Sequence, residues 1–308
     1  MKYTNIAIIG ANGFIGKHLI EELKKNAELK LNLFGKSTSS EFSNLFPYHQ
    51  IDLNNTEQLK VSFKEIDLIY YLASESIPSS SWNNPAFEIE KNLLPFVNFL
   101  ECVCKLKLKK IVFVSSGGTI YGNSNKKLTE ESDKKPFSPY GIIKLAMENY
   151  LTYFEVKYKL QHDIFRVSNV YGKGQNTSKG LGIVNTFLEK IISEKKINIF
   201  GDGSTIRDYV YVEDVAKLLS LSIHSATNKS SIYNLSSNNA LSINELVTIT
   251  KKIIPETFEV VYTETRQSDN PSIMLDNSKI LADFPDFNFT EIEDGIYKTY
   301  TSLLENKK

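Results

Sequence analysis

Short apolar runs alternate with longer amphipathic segments through the first half of the chain. Runs this short and rich in β-branched residues are typical of buried strands of a parallel sheet, and apolar positions spaced by three and four are typical of the helices that cover it. The strands are predicted at Asn5–Ile9, Leu31–Phe34, His49–Ile51, Ile66–Leu72, Ile111–Val114 and Asp163–Val167. Six alternations of strand and helix predict an α/β fold with a Rossmann-type, doubly wound parallel sheet.

Two longer helices are predicted between these strands. One runs from Pro85 to about Leu106, with Asn84 as its N-cap and a kink at Pro95. The other begins just after Ser138, because the proline that follows this serine favours a first helical turn.

The first predicted strand ends in a glycine-rich turn that leads into an amphipathic helix. Glycines spaced by three residues permit a tight turn, let the backbone approach a diphosphate and let the helix pack closely, while the helix N-terminus faces the phosphates. We therefore predict a dinucleotide site rather than a plain loop. Its residues are Gly10, Asn12, Gly13, Phe14, Ile15 and Gly16.

The second strand ends without the acidic residue that NAD-binding chains usually place beside the adenine ribose. Gly35 and Lys36 occupy that place. Either Lys36 accommodates a 2′-phosphate, which predicts NADP, or it is a solvated loop residue and the cofactor is NAD. After the third strand, Asp52 with Leu53 is expected to hold the adenine, or Asp52 caps the helix that begins near Thr56.

Small residues follow the fourth predicted strand, at the edge where open α/β sheets bind their ligands. The loop there is joined by polar residues from the long helix and from the end of the fifth strand. The expected ligand-binding residues are Leu72, Ala73, Ser74, Asn92 and Ser115 for the cofactor and Ser76 for the substrate.

A phenol and an ammonium are paired on the helix that starts after Ser138. Tyr140 and Lys144 are four residues apart, so their side chains lie on one helical face. A cation beside a phenol favours its phenolate form, so Lys144 would bring the pKa of Tyr140 down towards the range of a general base. The alternative is a surface tyrosine and a surface lysine one helical turn apart.

The last third of the chain is rich in glycine and polar loops. The chain has three arginines, and two of them, Arg207 and Arg266, lie in such loops, where a guanidinium suits a bidentate grip on a diphosphate. Residues 1–170 are predicted to form an NAD(P)-binding Rossmann domain that regains a segment near 205–235. Residues 171–308 are predicted to form a smaller C-terminal α+β domain that binds the substrate.

Composition narrows the class of partners. The 36 lysines and arginines equal the 36 aspartates and glutamates, so nothing global favours nucleic acid or an anionic membrane. No apolar stretch approaches the roughly 20 residues of a membrane span, and the N-terminus lacks a signal-peptide pattern, so the cytoplasm is the expected location. Cys102 and Cys104 point to different helical faces and are expected to be packing residues rather than metal ligands.

Taken together, these motifs resemble the extended short-chain dehydrogenase/reductases that act on nucleotide sugars, the NAD-dependent epimerase/dehydratase family. The resemblance spans nearly the whole chain. It rests on Gly10-x-x-Gly13-x-x-Gly16, Ser115 to Gly122, Tyr140-x-x-x-Lys144, Asn169 to Gly172, Gly201 to Gly203 with Arg207 to Tyr209, and Arg266-x-x-Asp269.

The resemblance implies a Rossmann domain for NAD, or NADP, a C-terminal domain for a nucleoside diphosphate sugar, and pairing as a homodimer through two long helices. It implies that Tyr140 takes the proton of a sugar hydroxyl and that Lys144 holds the nicotinamide ribose. The substrate residues that it implies are Asn169, Arg207 and Arg266 at the diphosphate, Asp269 at a ribose hydroxyl, and Ile199 and Phe200 at the base.

One position departs from the family pattern, which places a catalytic serine or threonine where this chain has Gly117. If the segment is extended, side chains alternate and Thr119 faces the same way as position 117, which makes Thr119 the preferred hydroxyl. A local bulge would instead bring Ser116 inwards. Similar dehydratases and decarboxylases carry acidic residues at positions 118 or 119, and Gly118 with Thr119 argues against them.

The leading hypothesis for function is a nucleotide-sugar 4-epimerase, with a UDP-hexose as substrate, that works by transient oxidation at C4. The alternative is a one-way 4-ketoreductase or 4-dehydrogenase on a similar substrate, which Lys36 favours because a reductase draws on NADPH. A third hypothesis is a cofactor-binding sensor or scaffold without turnover, motivated by Gly117.

Overall fold

The computed structural model describes residues 3–124, 126–178, 182–224, 229–264 and 272–305. The strands are β1 (Asn5–Ile9), β2 (Lys30–Gly35), β3 (Tyr48–Gln50), β4 (Leu68–Tyr71), β5 (Lys110–Ser116), β6 (Lys127–Leu128), β7 (Gln161–Val167), β8 (Asn169–Tyr171), β9 (Lys196–Phe200), β10 (Ile206–Tyr211), β11 (Ser231–Leu235), β12 (Asn239–Ser242), β13 (Glu259–Thr263) and β14 (Met274–Leu275). The helices are α1 (Phe14–Leu23), α2 (Thr56–Ser62), α3 (Pro78–Ser81), α4 (Pro85–Glu88), α5 (Leu94–Val103), α6 (Gly117–Ile120), α7 (Pro139–Tyr158), α8 (Ile183–Glu194), α9 (Val212–Leu221), α10 (Ile243–Ile253), α11 (Ser278–Asp283) and α12 (Ile292–Glu305), with a π-helical turn at Ile89–Leu93.

Seven strands form the main sheet in the order β11-β7-β5-β4-β1-β2-β3. The six predicted strands are therefore present, and β11 extends the sheet at one edge. The chain moves outwards from β1 in one direction through β2 and β3, and in the other through β4 and β5, so the order reverses between β1 and β4. The carboxyl ends of strands at such a reversal border a ligand crevice. The predicted fold class is confirmed.

Contacts divide the chain into two compact units. Unit 1 comprises Met1–Ser116, Pro136–Arg166 and Ala216–Tyr233, and unit 2 comprises Gly117–Lys135, Val167–Val215 and Asn234–Lys308. The assignment of cofactor binding to residues 1–170 and of substrate binding to residues 171–308 stays a prediction, because the units describe packing rather than ligands.

Aromatic rings fill much of the core of unit 1. Tyr71 on β4 lies with its ring centroid 4.8 Å from that of Phe96 and 5.6 Å from that of Phe99, both on α5. Phe113 on β5 packs on Phe96 in turn, at 5.4 Å. These contacts fix α5 against β4 and β5, the two strands whose carboxyl ends carry the candidate site.

Unit 2 has a core of its own between short sheets and helices. One sheet has the order β12-β10-β8, and β13 pairs with β9 in another. Residues of β8, β9 and β10 pack there against α8, α10 and α12, among them Ile197, Tyr209 and Leu246, which are all buried.

The predicted helix from Pro85 to Leu106 is present as three consecutive segments, α4, the π-helical turn and α5, and it ends at Val103. The backbone is helical at both junctions, and the π-helical turn lies immediately before the first turn of α5, which contains Pro95. Proline lacks an N–H and crowds the preceding turn, which the wider π turn accommodates, and the kink at Pro95 stays a prediction. The predicted N-cap is confirmed, since Asn84 accepts a hydrogen bond from the amide of Phe87.

The alternative role of Asp52 as a helix cap is wrong. Asn55 caps α2 and accepts a hydrogen bond from the amide of Gln58, whereas Asp52 accepts one from the amide of Asn54 in the preceding turn. Both residue types make such local bonds, and the residue nearer to the first helical turn takes the cap.

In the part of the chain that the structure describes, no helix has the length and apolar character required to cross a membrane.

A buried ion pair joins two neighbouring strands of the main sheet. Lys110 of β5 contacts Asp163 of β7, and their side chains are only 1% and 2% exposed. Removing one member of such a pair leaves the other charge buried and uncompensated, which costs far more than the loss of an exposed pair.

We expect Lys110→Ala to lower the free energy of unfolding by about 3–5 kcal/mol. The matched control is Lys107→Ala, which removes an ion pair to Glu65 whose side chains are 78% and 65% exposed, and we expect it to cost less than about 1 kcal/mol. Urea unfolding measures both. Equal losses in the two variants would contradict this role of the buried pair.

Candidate active site

The glycine turn after β1 is shaped for close approach of the backbone to a ligand. Gly10 has φ of 90°, a left-handed value that favours glycine, and a Cβ there would lie 3.0 Å from the amide nitrogen of Ala73. A Cβ on Gly16 would lie 2.3 Å from the carbonyl oxygen of Gly10. Gly13 is the N-cap of α1 and has no side chain that could accept hydrogen bonds from the first amides of that helix. These N–H groups can therefore bind an anion. Phe14 and Ile15 begin that helix.

The end of β2 is covered by polar contacts rather than by an acidic side chain. Asn12 donates from Nδ2 to the carbonyl oxygen of Ser39 at 2.8 Å, and the Tyr48 hydroxyl donates to the carbonyl oxygen of Ser37 at 3.0 Å. Lys36 is 70% exposed, and its Nζ lies 2.9 Å from a carboxylate oxygen of Glu75. Lys36 is therefore a surface residue with a carboxylate partner. Among the other expected cofactor residues, Asp52 is exposed and Leu53 is half-buried.

Tyr140 and Lys144 line one narrow pocket, and several expected ligand residues line it with them. The pocket is bordered by Ala73, Ser74, Glu88, Asn92, Tyr140, Ile143, Lys144 and Met147. Its walls come from the segment after β4, from the α4 and π-helical segment, and from α7. Leu72 lies next to it in sequence and hydrogen-bonds through its amide to the carbonyl oxygen of Ile9 on β1.

Local sequence places this pair on α7. Ser138 caps the helix and accepts a hydrogen bond from the amide of Gly141, and the proline that follows it occupies the first helical turn. The Tyr140 amide lies 3.3 Å from the hydroxyl of Ser81, to which it donates. Lys144 is 6% exposed and donates from Nζ to the carbonyl oxygen of Val114 at 3.1 Å. The surface-residue alternative does not hold for Lys144.

Burial dominates the acid–base properties of the pair. It raises the pKa of Tyr140 to about 12, the negative charge of Glu88 adds to the rise, and a hydrogen bond with Ser74 opposes it. Burial also lowers the pKa of Lys144 to about 8, against the opposing charges of Glu148 and Glu88. The expectation that Lys144 lowers the pKa of Tyr140 is therefore wrong for this protein without its ligands, because the net shift of that pKa is upwards.

Two other residues of the expected site use their side chains inside the protein. The Ser115 hydroxyl donates to Glu148, which also receives a bidentate bond from Arg166. The Ser76 hydroxyl donates to Glu88 at 2.8 Å. Arg166, the one arginine outside the C-terminal loops, thus belongs to a buried network of unit 1.

Sequence reasoning missed three residues of this pocket, the apolar Ile143 and Met147 and the charged Glu88. Its side chain is 1% exposed, and Oε2 accepts from Ser76 Oγ and from Asn92 Nδ2 at 2.9 Å. The spacing of four residues between Glu88 and Asn92, next to a small-residue loop, was the available signal. The same spacing is equally compatible with an exposed helical face, because the burial of Glu88 depends on the packing of α7 over it.

The extended geometry expected for positions 117–120 is wrong. These residues form the short helix α6 in unit 2, so the alternation of side chains that favoured Thr119 does not apply. Thr119 is 3% exposed, and its hydroxyl has no hydrogen-bond partner among the residues that the structure describes. Ser116, the last residue of β5, is half-buried. The choice between the two hydroxyls stays a prediction.

Four of the expected substrate residues lie on strands of two sheets of unit 2, whereas Ser76 lies in unit 1. Asn169 of β8 is exposed, pairs in register with Tyr209 of β10, and donates from Nδ2 to the carbonyl oxygen of Asp208 at 2.9 Å. Arg207 lies on the same strand β10. At the end of β9, Ile199 is 2% exposed and Phe200 is 37% exposed. Arg266 and Asp269 lie outside the described residues.

Comparison with known proteins identifies the family of this chain. Residues 6–236 match the NAD dependent epimerase/dehydratase family. The chain belongs to this family.

Similar proteins cover nearly the whole chain. A protein described as a putative UDP-glucose 4-epimerase of Methanocaldococcus jannaschii is 32% identical over 279 residues, which are 89% of this chain and 90% of that protein. The dTDP-4-dehydro-6-deoxyglucose reductase of Escherichia coli is 27% identical over 97% of this chain and 98% of its own. The crystal structure of a UDP-glucose 4-epimerase from Thermotoga maritima with UDP-glucose superposes with a TM-score of 0.91, at 28% identity, over 99% of this chain and 100% of that one.

The predicted family, and with it the prediction of an NAD-dependent nucleotide-sugar enzyme, is confirmed by these matches. The glycine turn lies inside the matched region, as do Tyr140, Lys144 and Arg207, whereas Arg266 and Asp269 lie beyond it.

The glycine turn generates a direct test of cofactor binding. We expect Gly16→Ala to weaken binding of NADH by at least about tenfold, because the new Cβ would collide with the carbonyl oxygen of Gly10 and push the turn away from the diphosphate. Fluorescence titration with NADH measures the affinity. The matched control is Gly118→Ala, whose Cβ would meet no atom within 4 Å. Unchanged affinity in Gly16→Ala would contradict the assignment of the turn.

Proposed function

We propose that this protein is a nucleotide-sugar 4-epimerase that acts on a UDP-hexose with NAD as a bound cofactor. The observation that carries the proposal is the pairing of Tyr140 with buried Lys144 in a pocket at the carboxyl edge of a Rossmann sheet. The glycine turn fits a dinucleotide, since Gly16 leaves no room for a side chain between α1 and the turn, and this close packing keeps the N-terminus of α1 beside the expected diphosphate. The similarity to UDP-glucose 4-epimerases over nearly the full chain supports the reaction class.

In this reaction Tyr140 removes the proton from the sugar 4-hydroxyl and later returns it to the other epimer. When bound, the nicotinamide would supply reversible hydride transfer at C4, and return of the hydride to the opposite face would give the other epimer. Because burial holds the pKa of Tyr140 at about 12, the phenolate needs positive charge beside it, which Lys144 supplies. Lys144 also has ammonium hydrogens beyond the one that it donates to Val114, and these are available to the nicotinamide ribose.

The sugar nucleotide is expected to contact residues of unit 2. In this proposal Asn169, Arg207 and Arg266 hold the diphosphate, Asp269 holds a ribose hydroxyl, and Ile199 with Phe200 borders the base. The exposure of Asn169 and of the Phe200 ring supports their availability to a ligand. Residues 1–170 would then bind mainly the cofactor and residues 171–308 mainly the substrate.

A second candidate function is a one-way nucleotide-sugar 4-ketoreductase. The absence of an acidic residue at Gly35 and Lys36 favours it, and so does the similarity to a dTDP-4-dehydro-6-deoxyglucose reductase. The cofactor released on mild denaturation discriminates the two. Tightly bound NAD supports the epimerase. Exchangeable NADPH that is oxidised during turnover would reject the epimerase and support the ketoreductase.

We further propose that the protein forms a cytoplasmic homodimer through α7 of each copy. Ile142, Tyr153 and Val156 lie on one face of this helix and are 51%, 48% and 70% exposed. An apolar helical face of this size is more easily explained by a second copy than by contact with water.

Loss of the Tyr140 hydroxyl tests the catalytic assignment. We expect Tyr140→Phe to lower kcat for interconversion of UDP-glucose and UDP-galactose by about 10²–10⁴-fold, because the general base is removed. The control is Tyr150→Phe on the same helix, whose side chain is 38% exposed and which should retain full activity. Full activity in Tyr140→Phe would reject the assignment, and wild-type inactivity on UDP-, GDP- and dTDP-sugars alike would favour a sensor without turnover.

Two single substitutions separate the candidate hydroxyls. We expect Thr119→Val to lower kcat by about tenfold or more and Ser116→Ala to change it by less than about threefold, because the buried Thr119 hydroxyl has no described partner inside the protein. The same coupled epimerase assay measures both. The reverse order would transfer the role to Ser116, and two unaffected variants would show that neither hydroxyl participates.

A charge on the exposed face of α7 tests the dimer. We expect Val156→Glu to convert a dimer into a monomer, because the carboxylate would be buried without a partner in the interface. Light scattering after size exclusion gives the mass, and Lys64→Glu, at an exposed position outside α7, serves as a control for a change in surface charge. A monomeric wild-type chain would contradict the proposal.

A further inference from the structure

The carboxylate of Glu88 has one oxygen that the protein does not satisfy. Oε2 accepts from Ser76 Oγ at 2.8 Å and from Asn92 Nδ2 at 2.9 Å. Oε1 is buried and has no hydrogen-bond partner among the described residues. A buried carboxylate without full compensation is costly, so its retention in a pocket points to a role outside the packing of the fold.

Ser76 and Asn92 fix the position of this carboxylate from both sides. Asn92 donates to Ser76 Oγ as well as to Glu88, and its own Oδ1 accepts from the amide of Glu75. The loop after β4 and the π-helical turn are thereby joined through one buried cluster, and Glu88 cannot turn away from the pocket without breaking it.

Glu88 is also the carboxylate of this region that lacks a close cationic partner. Glu148 is bound by Arg166, and Glu75 is bound by Lys36. Glu88 has no ion pair within 4.0 Å among the described residues, although it lines the same pocket as Lys144 and its charge acts on both Lys144 and Tyr140. The pocket therefore combines the Lys144 ammonium with one carboxylate that acts on it at longer range than an ion pair.

We propose that Glu88 is a positioning residue whose fixed negative charge favours the oxidised over the reduced form of the nicotinamide that binds beside Tyr140 and Lys144. The inference rests on the proposed function, which places that ring in this pocket. The oxidised ring carries a positive charge and the reduced ring is neutral, so a buried carboxylate stabilises the first form and Lys144 alone would disfavour it. Glu88 thus keeps reduction transient, as a reaction that returns its hydride requires.

The test compares the affinities of the full chain for NAD⁺ and NADH. We expect Glu88→Gln to shift the ratio of the two dissociation constants by on the order of tenfold in favour of NADH, because the variant loses the charge but keeps the size of the side chain. Glu88→Ala is a second neutral variant, which decides the question if Glu88→Gln does not fold. NADH fluorescence and its displacement by NAD⁺ give both constants, and thermal melting confirms the fold.

Glu90→Gln is the matched control, because Glu90 is exposed in the π-helical turn that directly follows Glu88 and carries the same charge. We expect its ratio to stay within about twofold of the wild-type value, since an exposed charge is screened by solvent. Glu88→Asp, which retains the charge, should also stay close to the wild-type ratio.

The outcomes distinguish this inference from the proposed function. A wild-type chain that binds neither NAD⁺ nor NADH would reject both. A folded Glu88→Gln or Glu88→Ala that weakens both forms equally, with an unchanged ratio, would show a purely structural role and overturn the inference while leaving the epimerase proposal intact.

Discussion

The burial of the Lys144 ammonium is the constraint on which the arrangement of this site depends. A buried charge requires compensation, and the sheet and its helices are organised to supply it. The end of β5 offers the Val114 carbonyl oxygen at 3.1 Å and the Phe113 ring at 4.9 Å. Glu88 provides negative charge from the opposite wall, and Glu148 provides it from the same helix. Tyr140 lies one turn away and shares the low dielectric that lowers the pKa of Lys144.

Local spacing was sufficient to predict the parts of the site that one element or one turn determines. The glycines after β1, the Ser138 cap and the Tyr140 to Lys144 spacing each lie within a few residues, so the sequence carries their geometry. Glu88 and Arg166 could not be found in this way, because their burial depends on α7 packing over segments far away in the chain. The prediction for positions 117–120 was wrong for a related reason. These residues form a short helix instead of the end of a strand, which changes the side chains that face one another, and a segment of four residues is too short to show a periodicity.

The distinction between local spacing and distant packing also separates the parts of the fold that were predicted from those that were not. Apolar runs predicted the central strands because a parallel sheet buries both faces, and this pattern needs no knowledge of partners. The π-helical turn was missed because Pro95 predicts an irregularity but not its position, and the chain places it before the proline. The cap that was one of two alternatives for Asp52 belongs to Asn55, since both side chains can bond nearby amides and only the exact start of α2 decides between them.

The central claim is that Tyr140 and Lys144 serve a reversible transfer of hydride and proton at C4 of a sugar nucleotide. Epimerisation of UDP-glucose labelled with deuterium at C4 tests it most directly. Because the hydride is stored on a bound nicotinamide and returned to the same carbon, the UDP-galactose formed is predicted to retain the deuterium without added cofactor. Loss of the deuterium to solvent, or conversion only with continuous consumption of NADPH, would contradict the claim.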